Sequence, residues 1–257
     1  MLEGLYNAAL TDSLERERSF PYSKLEDLAL SRPLPVDAEI ALEKTNRIRL
    51  IAEIKRASPS KGDLAPIVDA AAQGVGYQNA GADAISVLTE RTGFKGSLAD
   101  LAAVSSATTI PTLRKDFIST EYQLLEARFA GAAMALLILA GLTQKRYLEL
   151  KLFAESIGLK VLVETHTAEE IAVAADSGAK LIGINTRDLV TFKTDIGLFE
   201  NLAQRLPQSC IRIAESSVKS TDDVVRYREA GADCVLVGEA LVTGDYRQLI
   251  PEIVSVA

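Results

Sequence analysis

A repeated unit dominates the pattern of hydrophobic and polar positions along the chain. In each copy a stretch of helical periodicity ends in Gly-Ala, and a short apolar run rich in β-branched residues follows at once. Glycine just after a helix adopts the left-handed conformation that ends it, and the next strand begins within a few residues. The pattern therefore predicts αβ junctions at Ala80–Leu88, Ala130–Ile138, Ser177–Ile184 and Ala230–Val237, with a looser fifth copy at Ser156–Val163.

Eight short apolar runs are predicted to be strands, and helical patterns fill the gaps between them. They are Arg49–Lys55, Ala84–Leu88, Pro111–Arg114, Ala135–Leu139, Lys160–Glu164, Leu181–Asn185, Ile211–Glu215 and Cys234–Val237. Near-continuous apolar strands that alternate with helices indicate a parallel sheet, and eight such units favour a closed barrel over an open doubly wound sheet. No GxGxxG motif follows the first strand, which weakens the dinucleotide-binding alternative. The predicted fold is an α/β protein, a (β/α)8 TIM barrel.

The residues before the first strand are predicted to form an N-terminal helical extension. Two helical patterns, Leu2–Arg16 and Val36–Thr45, are separated by three prolines. The chain, residues 1–257, is thus expected to be a single domain, with the extension at 1–47 and the barrel at 48–257. The sequence leaves open whether the extension caps one mouth of the barrel, plugs its bottom or packs outside it.

Composition and charge exclude several classes of protein. With 48% hydrophobic and 25% charged residues, the chain is typical of a globular protein. The longest apolar run, Ala132–Ala140, is far shorter than the roughly 20 residues of a membrane helix, and the acidic start does not resemble a secretory signal. The net charge of −7, from 28 cationic and 35 anionic residues, argues against nucleic-acid binding. We expect a cytoplasmic protein without membrane or nucleic-acid partners, either a monomer or a weak homo-oligomer.

Cysteine and histidine are too scarce for most metal or nucleophile chemistry. Cys210 and Cys234 lack metal-ligand spacing and lie near apolar runs, so we expect both to pack in the core. The single histidine, His166, excludes zinc sites built on paired histidines and makes a Ser-His-Asp triad doubtful. Acid–base chemistry must then fall to lysine and carboxylate side chains, with no metal.

Polar residues lie at the C-terminal end of nearly every predicted strand, where barrels of this class carry their active sites. They include Glu53 and Lys55, Thr89 and Glu90, Lys115 and Asp116, Glu164, Asn185 and Arg187, Glu215 and Ser216, and Gly238 and Glu239. Glu53 and Lys55 are two residues apart and therefore point to the same side of the strand. The alternative to a functional site is that these side chains are solvated loop residues, or charges that only pair with one another. In a functional site, burial is expected to lower a lysine pKa and raise a glutamate pKa.

Two groups of small and hydroxyl residues predict a phosphate site. The loop Arg56–Gly62 can offer backbone N–H groups and hydroxyls to an anion. Barrels of this class also often bind phosphate after strands seven and eight, where this chain has Ser216-Ser217 and Gly238-Glu239. The alternative for the serines is capping of the next helix. We expect the ligand to be a phosphorylated small molecule.

Six of these segments resemble the signature motifs of indole-3-glycerol-phosphate synthases. They are Ile51–Gly62, Ser86–Glu90, Pro111–Phe117, Leu162–His166, Ile184–Leu189 and Ala214–Ser216. The resemblance runs from the N-terminal extension through the eighth strand. It implies a carboxy-lyase of tryptophan biosynthesis that needs no cofactor. The family converts 1-(2-carboxyphenylamino)-1-deoxyribulose 5-phosphate to indole-3-glycerol phosphate, carbon dioxide and water.

The resemblance also implies catalytic roles, carried over by motif position. Lys115 resembles the general acid that protonates the substrate carbonyl as the ring closes, and Glu164 resembles the general base. Lys55, with Glu53 as its partner, would bind the anionic substrate and take part in dehydration. Two further residues would orient hydroxyl and carbonyl groups, and these are Asn185 and Ser216.

Substrate-binding positions follow from the same motifs. Arg187 matches a position that supports carboxylate binding and the region of Glu53. The expected phosphate grip consists of Ser58, Ser216, Ser217 and Gly238, with Glu239 beside it. The expected anthranilate pocket consists of Phe94, Phe117 and Leu189.

Two positions depart from the family pattern. Ser217 stands where glycine commonly follows Glu-Ser, so a backbone conformation easy for glycine is expected to be strained or altered. Lys95 replaces another frequent glycine and is expected to change loop mobility or add a cation near the mouth. We expect neither change to abolish activity.

Three other readings remain open on the sequence. A lysine at a strand end can act as the nucleophile of a Schiff-base aldolase. Phosphoribosylanthranilate isomerase shares the fold but lacks this extension and the Glu53–Lys55 motif. A non-catalytic barrel that binds a phosphorylated ligand would be expected to lack a strand-end acid or base. The length indicates a monofunctional form.

Overall fold

The eight predicted strands form a closed parallel barrel. The computed structural model describes residues 2–188 and 193–257. The barrel strands are β1 (Arg49–Ile54), β2 (Ala84–Leu88), β3 (Thr112–Lys115), β4 (Met134–Ile138), β5 (Lys160–Thr165), β6 (Leu181–Asn185), β7 (Ile211–Glu215) and β8 (Cys234–Val237). Each strand pairs in parallel with its neighbours in sequence, and β1 pairs with β8 to close the sheet. The predicted (β/α)8 TIM barrel is confirmed, with strand ends displaced by no more than one residue.

The helices cover the outside of this barrel. They are α4 (Ala70–Ala80), α5 (Leu98–Ala107), α6 (Glu121–Phe129), α7 (Gln144–Ser156), α8 (Ala168–Asp176), α9 (Ile196–Leu202), α10 (Thr221–Glu229), α11 (Glu239–Thr243) and α12 (Tyr246–Val254). The glycines of the four predicted Gly-Ala junctions all have positive φ, from 72° to 113°. The left-handed residue ends the helix there and lets the chain enter the next strand, as the sequence predicted.

Alternation along each strand produces two separate hydrophobic cores. In β1, Leu50, Ala52 and Ile54 pack outward against the helices, whereas Ile51 faces the barrel axis. Each of the other seven strands contributes one to three residues to the interior core, including Leu113, Leu162 and Ile213. Because side chains alternate, the residue two positions beyond an interior apolar residue also faces the axis. This alternation decides which polar side chains face the axis at the C-terminal mouth of the barrel.

The N-terminal extension closes both ends of the barrel. It contains α1 (Leu2–Ser19), α2 (Tyr22–Ser31) and the short α3 (Ala38–Ala41). Helix α1 lies over the C-terminal mouth, where Tyr6 packs edge-on against Phe117 with ring centroids 5.5 Å apart. Helix α3 lies at the opposite end, where Lys160, the first residue of β5, approaches Glu39 to 3.1 Å. Capping the mouth and plugging the bottom, two of the possibilities left open by the sequence, both occur.

Within this extension the predicted helix boundaries were partly wrong. The pattern Leu2–Arg16 is confirmed in α1, but Val36–Thr45 is helical only over the four residues of α3. Helix α2 was not predicted, although Pro21 precedes it and its buried residues Leu25 and Ala29 have helical spacing. Its apolar face is narrow, and packing against α6 stabilises it, which a local pattern does not reveal. Among the described residues no helix is both long and apolar enough to cross a bilayer.

Candidate active site

The C-terminal mouth of the barrel gathers charged side chains from four strands. Glu53, Lys115, Glu164 and Glu215 each lie two residues beyond an interior apolar residue and therefore face the barrel axis. The three glutamate residues are no more than 4% exposed. The prediction that lysine and glutamate side chains converge on one axis is confirmed for these residues.

Lys115 lies at the centre of this group. Its Nζ is 3.4 Å from Glu215 Oε2, 3.5 Å from Glu164 Oε2 and 4.0 Å from Glu53 Oε2. Neighbouring Arg114 and Asp116 point outward, where their side chains form a buried ion pair at 2.9 Å. Arg114 also pairs with Glu126 of α6 at 3.1 Å. These outer contacts fix the strand on both sides of Lys115.

Glu53 and Lys55 point to the same side, as their spacing predicts, and form an ion pair. Lys55 Nζ lies 2.8 Å from Glu53 Oε1. Two glycines leave room for the carboxylates at this level of the barrel. A Cβ at Gly238 would clash with Glu53, and one at Gly183 would clash with Glu215. Gly238, assigned to the phosphate grip, therefore also makes space for Glu53.

Glu164 is oriented by a chain of polar contacts. Asn185 donates through Nδ2 to Glu164 Oε1 at 3.0 Å. The Asn185 Oδ1 atom accepts from the Ser216 hydroxyl at 2.8 Å and from the Arg187 backbone N–H at 3.0 Å. Asn185 and Ser216 thus orient the Glu164 carboxylate.

The charges shift the pKa values differently from what the sequence suggested. Burial alone would lower the pKa of Lys115, but Glu215, Glu164 and Glu53 outweigh it and raise that pKa. The predicted lowering of a lysine pKa was wrong here, because carboxyl groups from three strands surround one ammonium group and those of Glu53 and Glu164 are ionised near neutral pH.

The glutamates divide into two types. Burial would raise the pKa of Glu53, yet Lys55 and Lys115 lower it overall. Burial would likewise raise the pKa of Glu164, which Lys115 and His166 lower. The predicted rise in glutamate pKa is therefore wrong for these two. Both side chains remain carboxylates near neutral pH, and Glu164 is available as a base.

Glu215 behaves in the opposite way, and it was not among the site residues chosen from the sequence. Burial and the nearby Glu164 charge raise its pKa from 4.5 to about 8. Its carboxyl oxygens accept no hydrogen bond from the described residues. The available signal was its position two residues after the interior Ile213, at the same level as Glu164. Near neutral pH it is a buried neutral acid beside Lys115.

A cavity of about 540 Å³ opens above this charged group. One wall is apolar and includes Leu2 and Leu5 of α1 together with Phe94 and Phe117. The two phenylalanine rings lie 6.2 Å apart between centroids. Three backbone N–H groups of residues 92–94 donate to the Glu90 carboxylate, so this strand-end residue shapes the loop that holds Phe94. Leu189, the third predicted pocket residue, lies outside the described residues.

The opposite wall contains cations and the predicted phosphate residues. The cavity lining there includes Lys55, Lys61, Arg187, Lys193, Ser216, Ser217, Lys219, Gly238 and Glu239. The sequence-based site omitted Lys61, Lys193 and Lys219. Glu239 forms an ion pair with Lys61 and lies 4.0 Å from Arg187. Ser58 is not in the described lining, and its buried hydroxyl has no hydrogen-bond partner among the described residues.

Both departures from the family pattern have a left-handed backbone. Ser216 and Ser217 have φ of 71° and 65°, and Lys95 has φ of 54°. The chain thus keeps conformations that suit glycine, and the expected strain is present. The Ser217 hydroxyl bonds to that of Thr186 at 2.6 Å, and the Thr186 hydroxyl is 3.0 Å from that of Tyr227. Lys95 adds a cation paired with Asp63.

Comparisons with known proteins agree with this architecture. A sequence model of the family described as indole-3-glycerol phosphate synthase matches residues 6–253. The chain is 52% identical to the indole-3-glycerol phosphate synthase of Leifsonia xyli over 245 residues, covering 95% of this chain and 94% of the relative. It is 46% identical to those of Streptomyces griseus and Mycobacterium tuberculosis, covering 99% of this chain and 95% and 94% of the relatives.

Solved structures support the fold alone. A thiamine phosphate pyrophosphorylase from Pyrococcus furiosus superposes with a TM-score of 0.60 at 14% identity, over 81% of this chain and 94% of that protein. The N-acetylmannosamine-6-phosphate 2-epimerase of Clostridium perfringens gives 0.58 at 16% identity, over 76% and 88%. The family match over nearly the whole length carries the assignment: this chain belongs to the indole-3-glycerol phosphate synthase family.

Proposed function

We propose that the charged mouth of this barrel closes the indole ring. The chain converts 1-(2-carboxyphenylamino)-1-deoxyribulose 5-phosphate to indole-3-glycerol phosphate with loss of carbon dioxide and water, as an enzyme of tryptophan biosynthesis. The observation that carries the assignment of residues is the position of Lys115, an ammonium group within 4.0 Å of three buried carboxyl groups and facing the cavity. Such a site holds an acid and a base within one small volume.

Lys115 acts as the general acid of ring closure. The arene carbon that carries the carboxylate attacks the ketone, and Lys115 gives its proton to the ketone oxygen, which becomes a hydroxyl group. The new carbon–carbon bond interrupts aromaticity. The carboxylate then leaves as carbon dioxide, and the electron pair of the broken bond restores the arene. The raised pKa of Lys115 keeps it protonated before substrate binds.

Glu164 and Lys55 complete the dehydration. The hydroxyl group leaves as water with a proton from Lys55, and Glu164 removes a proton from the ring being formed. Glu164 is ionised and held by Asn185, so it presents a fixed oxygen to the substrate. Glu53 holds Lys55 at 2.8 Å and keeps this second acid near the reacting carbon. The reaction takes up one proton overall, which matches the loss of the substrate carboxylate as neutral carbon dioxide.

The two walls of the cavity fit the two ends of the substrate. Phe94 and Phe117, with Leu2 and Leu5 from α1, provide a surface for the aromatic ring. Arg187 is placed to bind the substrate carboxylate. The phosphate group lies toward Ser216, Ser217 and Gly238, where Lys61 supplies a charge. Glu239 would repel a phosphate, and it contributes by holding Lys61 and Arg187.

The alternatives are less well supported by the geometry. A Schiff-base nucleophile must be an unprotonated amine, whereas the carboxylates around Lys115 keep it charged. Borohydride trapping with substrate tests this directly, and a covalent adduct on Lys115 or Lys55 would favour the aldolase. A non-catalytic binding barrel would be expected to lack a strand-end acid or base, whereas this chain has Lys55, Lys115 and Glu164.

The decisive experiment measures indole formation in two variants. Lys115→Met and Glu164→Gln are expected to fold and to reduce kcat by roughly 10²- to 10⁴-fold, as the loss of a positioned acid or base does. The chain contains no tryptophan, so indole fluorescence has a low background. Lys145→Met and Glu149→Gln change the same residue types on α7, where Lys145 is 87% exposed, and should leave kcat unchanged. Full activity in both active-site variants would overturn the assignment.

A further inference from the structure

The only histidine of the chain lies beside the proposed general base. His166 follows β5 two residues after Glu164, so the two side chains share one side of the chain, as Glu53 and Lys55 do. The His166 side chain is only 13% exposed. The reaction described above assigns it no part.

The imidazole lies between two carboxylates. Its Nε2 is 3.5 Å from Glu164 Oε1, and its Nδ1 is 3.5 Å from Glu170 Oε2. Neither ring nitrogen completes a well-aligned hydrogen bond within residues 2–188 and 193–257. The ring is therefore held by charge and packing, with a carboxylate at each nitrogen.

Glu170 is itself fixed at the beginning of α8. Its Oε2 accepts the backbone N–H of His166 at 2.6 Å, and its own N–H donates to the Thr167 hydroxyl at 3.2 Å. Both contacts are ordinary for the first turn of a helix, where N–H groups lack partners. The helix start thus places a carboxylate behind the imidazole, on the side away from Glu164.

The charges around this ring favour its protonated form. Glu170 from α8 and Glu164 from β5 each lie 3.5 Å from one of its nitrogens, and Glu215 from β7 is the third carboxyl group of this cluster. Burial would lower the pKa of His166, but Glu170 and then Glu164 raise it overall. On the other side of Glu164, Lys115 lies 3.5 Å from Oε2. Glu164 is therefore placed between the His166 imidazole and the Lys115 ammonium group, one on each of its oxygens.

We propose that His166 is a positioning residue of the reaction: supported by Glu170, its imidazolium holds the Glu164 carboxylate in place and keeps it ionised for proton removal. The inference rests on the role proposed above for Glu164. It differs from simple packing or helix capping because it requires charge. A neutral side chain of similar size fills the same space but leaves Glu164 with one cation fewer.

The imidazole can be observed directly, because a chain with one histidine gives one set of imidazole NMR signals. In the unmodified protein those signals are expected to titrate above the ordinary pKa of about 6.5. Glu170→Gln and Glu164→Gln should each move the titration to lower pH. Glu169→Gln, on the same helix turn but exposed, removes the same charge and should leave the titration unchanged.

The kinetic test is the pH profile of kcat in His166→Gln. Loss of a cation beside Glu164 raises the pKa of that carboxylate. The acidic limb of the kcat profile should therefore move to higher pH. An opposite charge at this range commonly changes a pKa by about one unit or more. Glu170→Gln should move the same limb in the same direction by less, and Glu169→Gln should not move it.

The outcomes separate the two proposals. An imidazole titration that is equal in Glu164→Gln, Glu170→Gln and Glu169→Gln would overturn the inference. So would an acidic limb that stays in place in both His166→Gln and Glu170→Gln. Should His166→Gln fail to fold, the Glu170→Gln measurements still decide the question. Full activity of Glu164→Gln would instead refute the role of the base, whatever the NMR titration shows.

Discussion

Replacing Glu215 by glutamine is expected to stabilise the protein increasingly as pH rises. The pKa of this buried carboxyl is raised from 4.5 to about 8, first by burial and next by the charge of Glu164. Between those two values the folded protein keeps a proton that the unfolded chain has lost. Stability therefore falls with increasing pH through this window, because the folded state binds more protons than the unfolded state. Glutamine has the shape of the protonated acid and no proton to lose.

The size of the effect follows from one proton. Across the window, each pH unit changes the unfolding constant of the natural protein relative to the variant by up to about tenfold. Between pH 5 and pH 7 the difference in the free energy of unfolding should grow by up to about 2.7 kcal/mol. Side chains that rearrange around an ionised Glu215 reduce this value. Above about pH 8 the difference should stop increasing.

Urea unfolding at a series of pH values measures this difference. Far-UV circular dichroism is a suitable probe, since the chain has no tryptophan, and refolding from urea establishes that the transition is reversible. Glu53→Gln is the matched control, because Glu53 is equally buried but its pKa is lowered. Glu53 contributes stability that is fully present above pH 4.5 and is lost only as pH falls. The free energy of unfolding of Glu53→Gln should differ from that of the natural protein by a nearly constant amount from pH 5 to pH 9. A constant difference for Glu215→Gln as well would refute the reasoning.

Two further predictions concern the phosphate end and the N-terminal helix. Ser217→Ala loses the hydrogen bond to Thr186 and should lower stability by about 1 kcal/mol. Ser217→Gly loses the same bond but also removes a left-handed strain of about 1 kcal/mol, so its Tm should exceed that of Ser217→Ala by about 2–4 °C. Equal Tm values would show that φ of 65° carries no cost. Gly141→Ala places a methyl group against the Tyr6 ring and should displace α1, raising KM at least several-fold while circular dichroism of the barrel is preserved. Gly4→Ala, with open space at its Cβ, is the control, and an unchanged KM for Gly141→Ala would show that α1 does not need this contact.

The sequence by itself determined the barrel and the level of its active site. Period-two alternation is a local property, so the interior position of Glu53 follows from that of Ile51 without knowledge of the fold. Glycine after a helix is similarly local, and the positive φ at Gly81 and Gly131 was predictable from the Gly-Ala junctions. The fold then required that all strands carry their functional ends to the same mouth. These rules placed Lys115 and Glu164 together.

Only the tertiary structure decided the charge state of that mouth and what closes it. Whether a buried lysine pKa rises or falls depends on which carboxyl groups within a few ångström are ionised, and the carboxyl groups around Lys115 come from β1, β5 and β7. Burial and neighbouring charges likewise separate Glu215, which is protonated near neutral pH, from Glu164, which is ionised. The formation of helix α2 and the packing of Tyr6 against Phe117 depend on surfaces that are formed by distant segments. Residues far apart in sequence set these distances, and a pattern read along the chain contains no measure of them.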